Sequence, residues 1–191
     1  MVENNTVAKS TMYIAMAVSL LVGFLGGVVY SVYNGPAGTQ TAVVADEASS
    51  NIVSLEDEVK NHPDNGIAWS NLGHAYFDSD QYAKAIVAYN KSLELHPGNA
   101  DLLTDLGVMY RRNGQPDKAI ETFDRAVKAN PQHEQARFNK GVVLLNDYNN
   151  PTAAIVVWEE LVQVNPRAAT PSGAPLTDLI KDIKQQATEG K

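Results

Sequence analysis

Gly73, Gly107 and Gly141 stand 34 and 34 residues apart, and Pro63, Pro97, Pro131 and Pro166 stand 34, 34 and 35 apart. A fixed period of this length constrains the fold more than any other property of the chain. Each period is one supersecondary unit that must stack on the next to bury its apolar face. AWSNLGHAY (68–76), LLTDLGVMY (102–110) and RFNKGVVLL (137–145) align on the glycines. Ala85, Ala119 and Ala154 align in the second half of each period, followed by Tyr89, Phe123 and Trp158. Apolar spacing within each half is helical. Small residues therefore belong where the two helices of a hairpin cross, and the aromatics fill the layer between hairpins. Proline closes each second helix, because it cannot continue the hydrogen-bond ladder. The third unit arrives one residue late, which places an insertion in the turn at Asn149–Pro151.

The pattern resembles the tetratricopeptide repeat. Trp69, Leu72, Gly73, Tyr76, Ala85, Tyr89 and Pro97 fill seven signature positions of the first repeat, and the second departs only in Leu103. The expected fold class is all-α: three helical hairpins in a right-handed superhelix with capping helices, following an N-terminal transmembrane helix. The repeats span 66–99, 100–133 and 134–168. NIVSLEDEVKNHP (51–63) has Ile52, Leu55 and Val59 on one face and reads as an N-terminal capping helix. PLTDLIKDIKQQ has Leu176, Leu179, Ile180 and Ile183 on one face and makes 175–187 the C-terminal cap.

Upstream of the repeats the composition changes. No charged residue occurs from Ser10 to Ala45, and MYIAMAVSLLVGFLGGVVYSVY (12–33) is almost wholly apolar or small. As a helix it would span roughly 33 Å, the thickness of a bilayer core. Tyr13, Tyr30 and Tyr33 lie near its ends, where amphipathic rings favour the interface. Lys9 precedes it and acidic residues follow, so residues 1–11 are expected in the cytoplasm and the repeats across the membrane. The apolar run exceeds the core of a cleaved signal peptide, which favours a retained anchor. Ala15, Ser19, Gly23, Gly27 and Ser31 recur every fourth residue, a small-residue stripe suited to helix pairing. NGPAGTQTAVVADEASS (34–50) has no helical periodicity and reads as a flexible linker.

Composition narrows the function. A net charge of −7 leaves no basic face for nucleic-acid phosphates. The absence of cysteine removes disulfides, thiolate nucleophiles and thiolate-bound metals. His62, His74, His96 and His133 have no helical partners suited to a metal, and His62, His96 and His133 read as solvated turn residues. The carboxylates are spread over helix surfaces. Neither enzyme chemistry nor a cofactor or metal site is expected.

What a repeat superhelix offers is a concave face lined by its first helices. Helical position assigns Ser70, His74 and Phe77 to it from the first repeat, and Thr104, Val108, Arg111 and Arg112 from the second. The third supplies Phe138, Val142, Leu145 and Asn146. The face runs from polar to apolar, with an arginine pair between, and suits an amphipathic or extended protein segment. His74, Arg111 and Arg112 are expected to be open. Phe138 and Leu145 belong either to that groove or to a core covered by the tail helix. Repeat domains that clamp chaperone C-termini carry Lys and Asn at the fifth and ninth positions of the first repeat. Ser70 and His74 stand there instead, with Gln135 and Asn139 in the third repeat, so the clamp is absent.

The order of anchor, tether, LEDEVKNHPDNGIAWSNLGHAYF, further repeats and AIVVWEELVQVNP carries a narrower likeness. It resembles the membrane-anchored periplasmic tetratricopeptide proteins of bacterial c-type cytochrome maturation, the NrfG and CcmH/CcmI group. Glu56, His62, Pro63, Asp64, Trp69, Leu72 and Gly73 fit the opening of those proteins, and Trp158, Glu159 and Leu161 fit their last repeat. The resemblance implies a non-catalytic scaffold on the periplasmic side of the inner membrane, docking an apocytochrome for haem attachment. Two other readings stand beside it: a general adaptor for exported proteins at the translocon, and a structural subunit of a pilus or secretion assembly. Trp158 itself reads as structural, sealing the last hairpin against the tail helix.

Overall fold

The computed structural model describes residues 37–189. The cytoplasmic segment 1–11, the apolar segment 12–33 and its stripe Ala15, Ser19, Gly23, Gly27 and Ser31 lie outside them. Among the described residues no helix is long and apolar enough to cross a membrane. The chain divides into two units, Met1–Ser49 and Ser50–Lys191.

Eight helices follow in order among the described residues: α1 (Ala37–Asn61), α2 (Gly66–Asp78), α3 (Tyr82–Leu95), α4 (Ala100–Arg112), α5 (Pro116–Ala129), α6 (Glu134–Asn146), α7 (Pro151–Val164) and α8 (Leu176–Glu189). The fold is an all-α stack of three hairpins: α2 packs on α3, α4 on α5 and α6 on α7. α3 meets α4, α5 meets α6, and α8 closes on α7. The start of α1 corrects the linker reading, because residues 37–50 are helical rather than coil. No glycine or proline stands between Gly38 and Pro63, so nothing in the chain halts a helix there. A missing amphipathic period excludes a buried face, not a helix.

Each first helix starts on a side-chain cap, 34 residues after the previous one. Asn65 Oδ1 accepts from the Ala68 amide at 3.2 Å and Asn99 Oδ1 from the Leu102 amide at 3.0 Å. At the third position His133 Nδ1 accepts from the Ala136 amide at 3.2 Å. This corrects the reading of His133 as solvated: it is 9% exposed, and its Nε2 lies 2.9 Å from Asp101 Oδ1. The second helices end just before the pre-proline position, where His96, Asn130 and Asn165 cap them, the two asparagines in extended backbone. Proline's ring disfavours helix at the residue before it, so the stop is local.

The glycine period has a direct steric cause. A Cβ on Gly73 would come within 3.0 Å of the Tyr89 ring, one on Gly107 within that distance of Phe123, and one on Gly141 within it of Trp158. Each aromatic therefore packs against the glycine of its own hairpin, rather than only between hairpins. Between first and second helices the turn is left-handed at Asp80 (φ 57°), Gly114 (φ 72°) and Asn149 (φ 48°). The third turn, 147–150, is one residue longer than 79–81 and 113–115, which absorbs the late register.

Two apolar clusters result. Ile52 and Val59 of α1 join Leu72, Tyr89, Leu103, Leu106, Met109, Phe123 and Val143 in the first. Trp158, Leu161, Ala168, Leu176 and Ile180 form the second, which seals the C-terminal end. Trp158 is 1% exposed, and burying a side chain of that size contributes about 2–3 kcal/mol. Its Nε1 donates to the Phe138 carbonyl at 3.1 Å.

Candidate protein-binding groove

The first helices α2, α4 and α6 stand side by side. α4 touches α6 directly. His74 Nε2 of α2 lies 3.2 Å from Asp105 Oδ2 of α4. Arg111 at the end of α4 donates from Nε to Asp147 Oδ2 at 2.5 Å, just beyond α6. These contacts cross the repeat joints and hold the three helices in register along one face.

The sequence-assigned residues divide on this face. Ser70 is half-buried and its hydroxyl donates to the Ile67 carbonyl at 2.9 Å. Phe77 and Val108 are half-buried against the main core. Thr104 is a correction: at 1% exposure it is core, and its hydroxyl donates to the Ala100 carbonyl at 2.8 Å. Arg111 corrects its reading as open, being half-buried and spent on Asp147, while Arg112 is exposed and lies over the Phe77 ring at 5.2 Å and the Tyr82 ring at 5.6 Å. His74 is half exposed but paired, and the hydrogen bond to Asp105 raises its pKa against the opposing effect of burial. Val142 and Leu145 are half-buried against the C-terminal cluster, and Asn146 is exposed.

Phe138 serves both of its expected roles. One side stacks on Trp158, with ring centroids 5.9 Å apart and planes at 28°. The other helps line a cleft of about 270 Å³ with Glu134, Gln135, Asn139, Leu161 and the tail residues Ala169, Thr170 and Pro171. The tail loop is held by a bridge between Ala169 and Pro175 and by the Leu176 amide donating to the Ala168 carbonyl at 2.9 Å. It thus walls the end of the groove while α8 packs behind it on α7. A second cleft, about 380 Å³ and largely apolar, lies on the first hairpin between Trp69, Leu72, Tyr76 and Val87. There Tyr76 is pushed up to about 12 by burial and by its bond to Glu56.

Asp105, Asp147 and Glu134 were missed as groove residues. Asp105 was within reach, since Asp101, Asp105 and Val108 share one helical face. Asp147 was not, because it sits in a turn where no periodicity operates. Among the described residues no cluster of His, Cys, Asp and Glu could hold a metal ion.

The sequence model of the tetratricopeptide repeat matches residues 76–138. No curated protein sequence matches the chain. Among solved structures, the first tetratricopeptide domain of Spaghetti (RPAP3), bound to the HSP90 peptide SRMEEVD, is 21% identical with a TM-score of 0.55, over 64% of this chain and 93% of that one. MamA is 21% identical with a TM-score of 0.59, over 66% and 73%. The Sgt2 tetratricopeptide domain of Aspergillus fumigatus is 20% identical with a TM-score of 0.56, over 65% and 80%. The fold is thus a tetratricopeptide-type stack of helical hairpins, and the repeat model matches residues 76–138 within it. The narrower likeness to the cytochrome-maturation proteins rests on the residues quoted above alone.

Proposed function

We propose that this chain is a non-catalytic scaffold whose concave face holds a segment of a partner protein. The observation that carries the reading is the face itself. Three first helices are braced side by side by contacts across the repeat joints, and an apolar-floored cleft opens at one end. An extended chain laid across such a face meets apolar floor and polar rim together. The fold neighbour that holds an HSP90 peptide gives a precedent for a peptide on this fold, though not for its chemistry. We further propose that segment 12–33 tethers the scaffold to a bacterial inner membrane with the repeats in the periplasm. The support is its apolar length and the single Lys9 before it. The matched residues around Trp69 and Trp158 make an apocytochrome the first partner to try.

Photo-crosslinking from benzoylphenylalanine at Ser70, Val108 or Asn139 of the full-length chain tests the groove. Glu121, exposed on α5, serves as the outer-face control. Adducts confined to the first three positions are expected; equal adducts from Glu121 would overturn the reading. Retention of apocytochrome C-terminal peptides over unrelated unfolded exported chains tests the partner. The reverse preference removes the maturation role and leaves the scaffold.

A further inference from the structure

Two slots, four residues and one residue before the repeat glycine, change chemistry in the third repeat. They hold Trp69 and Leu72 in the first repeat and Leu103 and Leu106 in the second. Leu72, Leu103 and Leu106 are at most 3% exposed. In the third repeat the same slots hold Arg137 and Lys140, both half-buried. Lys140 Nζ reaches back across the joint to Asp124 Oδ1 of α5 at 2.6 Å. Arg137 Nη1 is buried and has no hydrogen-bond acceptor. A guanidinium N–H shut away from water without an acceptor opposes closure of the joint, whereas a leucine in that slot favours it.

The apolar clusters part at the same place. α4 gives the main cluster Leu102, Leu103, Leu106 and Met109, but α6 gives it only Ala136 and Val143. Phe138, Val142, Leu144 and Leu145 of α6 pack instead with Trp158 and the tail. Beside Ala136 and Val143, polar contacts tie the third repeat to the second. Lys140 meets Asp124, Arg111 donates to Asp147 at 2.5 Å, Tyr148 donates to Asp117, and His133 lies 2.9 Å from Asp101. The Lys140–Asp124 and Arg111–Asp147 pairs are partly exposed, so salt weakens them.

We propose that the stack flexes at the joint between the second and third repeats. α6, α7, the tail loop and α8 move as one body against α2–α5, and the ion pairs across the joint hold it closed. Opening lets water reach Arg137 Nη1, and raising salt shifts the balance toward the open form. The two bodies carry different parts of the concave face. His74 and Val108 ride on one, and the cleft of Phe138, Leu161, Thr170 and Pro171 rides on the other. The angle at the joint therefore sets where the cleft stands against the rest of the face. The flexing follows from the joint alone, whether or not a partner occupies that face.

The chain has no cysteine, so pairs of spin labels can be placed at will in the full-length protein. Val53, Val87, Glu121 and Val156 stand at one slot of α1, α3, α5 and α7, 34, 34 and 35 residues apart, and all are exposed. Labels on Val87→Cys with Val156→Cys span the proposed joint, and labels on Val53→Cys with Glu121→Cys span only the joints before it. Double electron–electron resonance is expected to show a second distance population in the first pair, growing about threefold from low to high salt. The second pair should keep one distance, and helix content by circular dichroism should stay unchanged. Arg137→Leu with Lys140→Leu should abolish the second population, since leucine already fills these slots in the second repeat. Asp147→Asn, which leaves the core untouched, should raise it about twofold. One salt-independent distance in both pairs overturns the proposal, as does equal spreading in both, which means even flexing of the whole stack. So does a second population that survives the leucine pair or arrives with loss of helix, and so does a leucine pair that fails to fold. Crosslinking from Ser70, Val108 and Asn139 decides the groove reading separately.

Discussion

Tyr89 and Trp158 occupy the same slot in the first and third repeats, and they end in opposite polar states. Both lie across a glycine that admits no Cβ. Trp158 carries its N–H to the Phe138 carbonyl and stacks on the Phe138 ring, which ties the last hairpin to the tail. Tyr89 carries a hydroxyl to a place with no partner, beside His74 and within the field of Asp78 and Asp105. One slot thus has two outcomes: the third repeat uses its polar atom to seal the stack, while the first leaves its polar atom buried without a partner. Repeat position alone does not tell how an aromatic's polar atom is satisfied. What distinguishes them is whether the polar atom has a partner.

The comparison breaks first at Trp158. Trp158→Ala should cost about 3–5 kcal/mol in urea unfolding, because α7 and α8 then face a cavity. Trp158→Phe should cost less, since the ring stays and only the bond to Phe138 goes. A loss below that of an ordinary surface substitution would deny the sealing role. Next comes the glycine itself. Gly107→Ala should cost about 1–3 kcal/mol by forcing Phe123 aside. Gly98→Ala, where a Cβ meets nothing within 4 Å, serves as the control and should change stability by under about 0.5 kcal/mol. Equal effects at the two glycines would refute the steric reading of the period.

His133→Ala should lower stability by about 1 kcal/mol through the lost cap on α6, and His133→Asn should recover most of it, since asparagine caps α2 and α4. Failure of asparagine to rescue would shift the weight to the contact with Asp101. Tyr89→Phe should leave stability level or raise it by up to about 1 kcal/mol, the opposite sign to Trp158→Phe. A clear loss would mean that the hydroxyl is satisfied within the fold.

The smallest effect is pH-dependent. The His74 pKa is raised from 6.5 in the folded chain, so its pairing with Asp105 is fully present below that value and fades as pH rises through the folded value. Thermal unfolding should therefore move to slightly lower temperature above neutrality, and Asp105→Asn should flatten that dependence.

Much of the fold was legible because a 34-residue period, a glycine and a proline are backbone constraints that local chemistry enforces. The hairpins, their proline stops and the insertion near Asn149 follow from them. The helix from Ala37 was not legible, since the only signal sought there was an amphipathic face. Helical position put Val108, Phe138 and His74 on the first helices, and the structure leaves His74 exposed and the other two half-buried. Thr104 and Arg111 were misjudged for one reason. Helical position tells which way a side chain leaves its own helix, but not what the neighbouring repeat sets against it. The partners Asp147, Asp105 and His133 lie 29 to 36 residues away in sequence.

By itself the sequence determined the repeat, the turn positions, the capping asparagines' spacing and the acidic character of the surface, all of which depend on residues near one another along the chain. Only the tertiary structure decided which charges are spent, that His133 is a buried cap, and that the aromatic polar atoms of the first and third repeats have different fates. Stacking brings together residues a full period apart. Whether a polar atom finds a partner is settled at those joints, where neither period nor propensity has a vote.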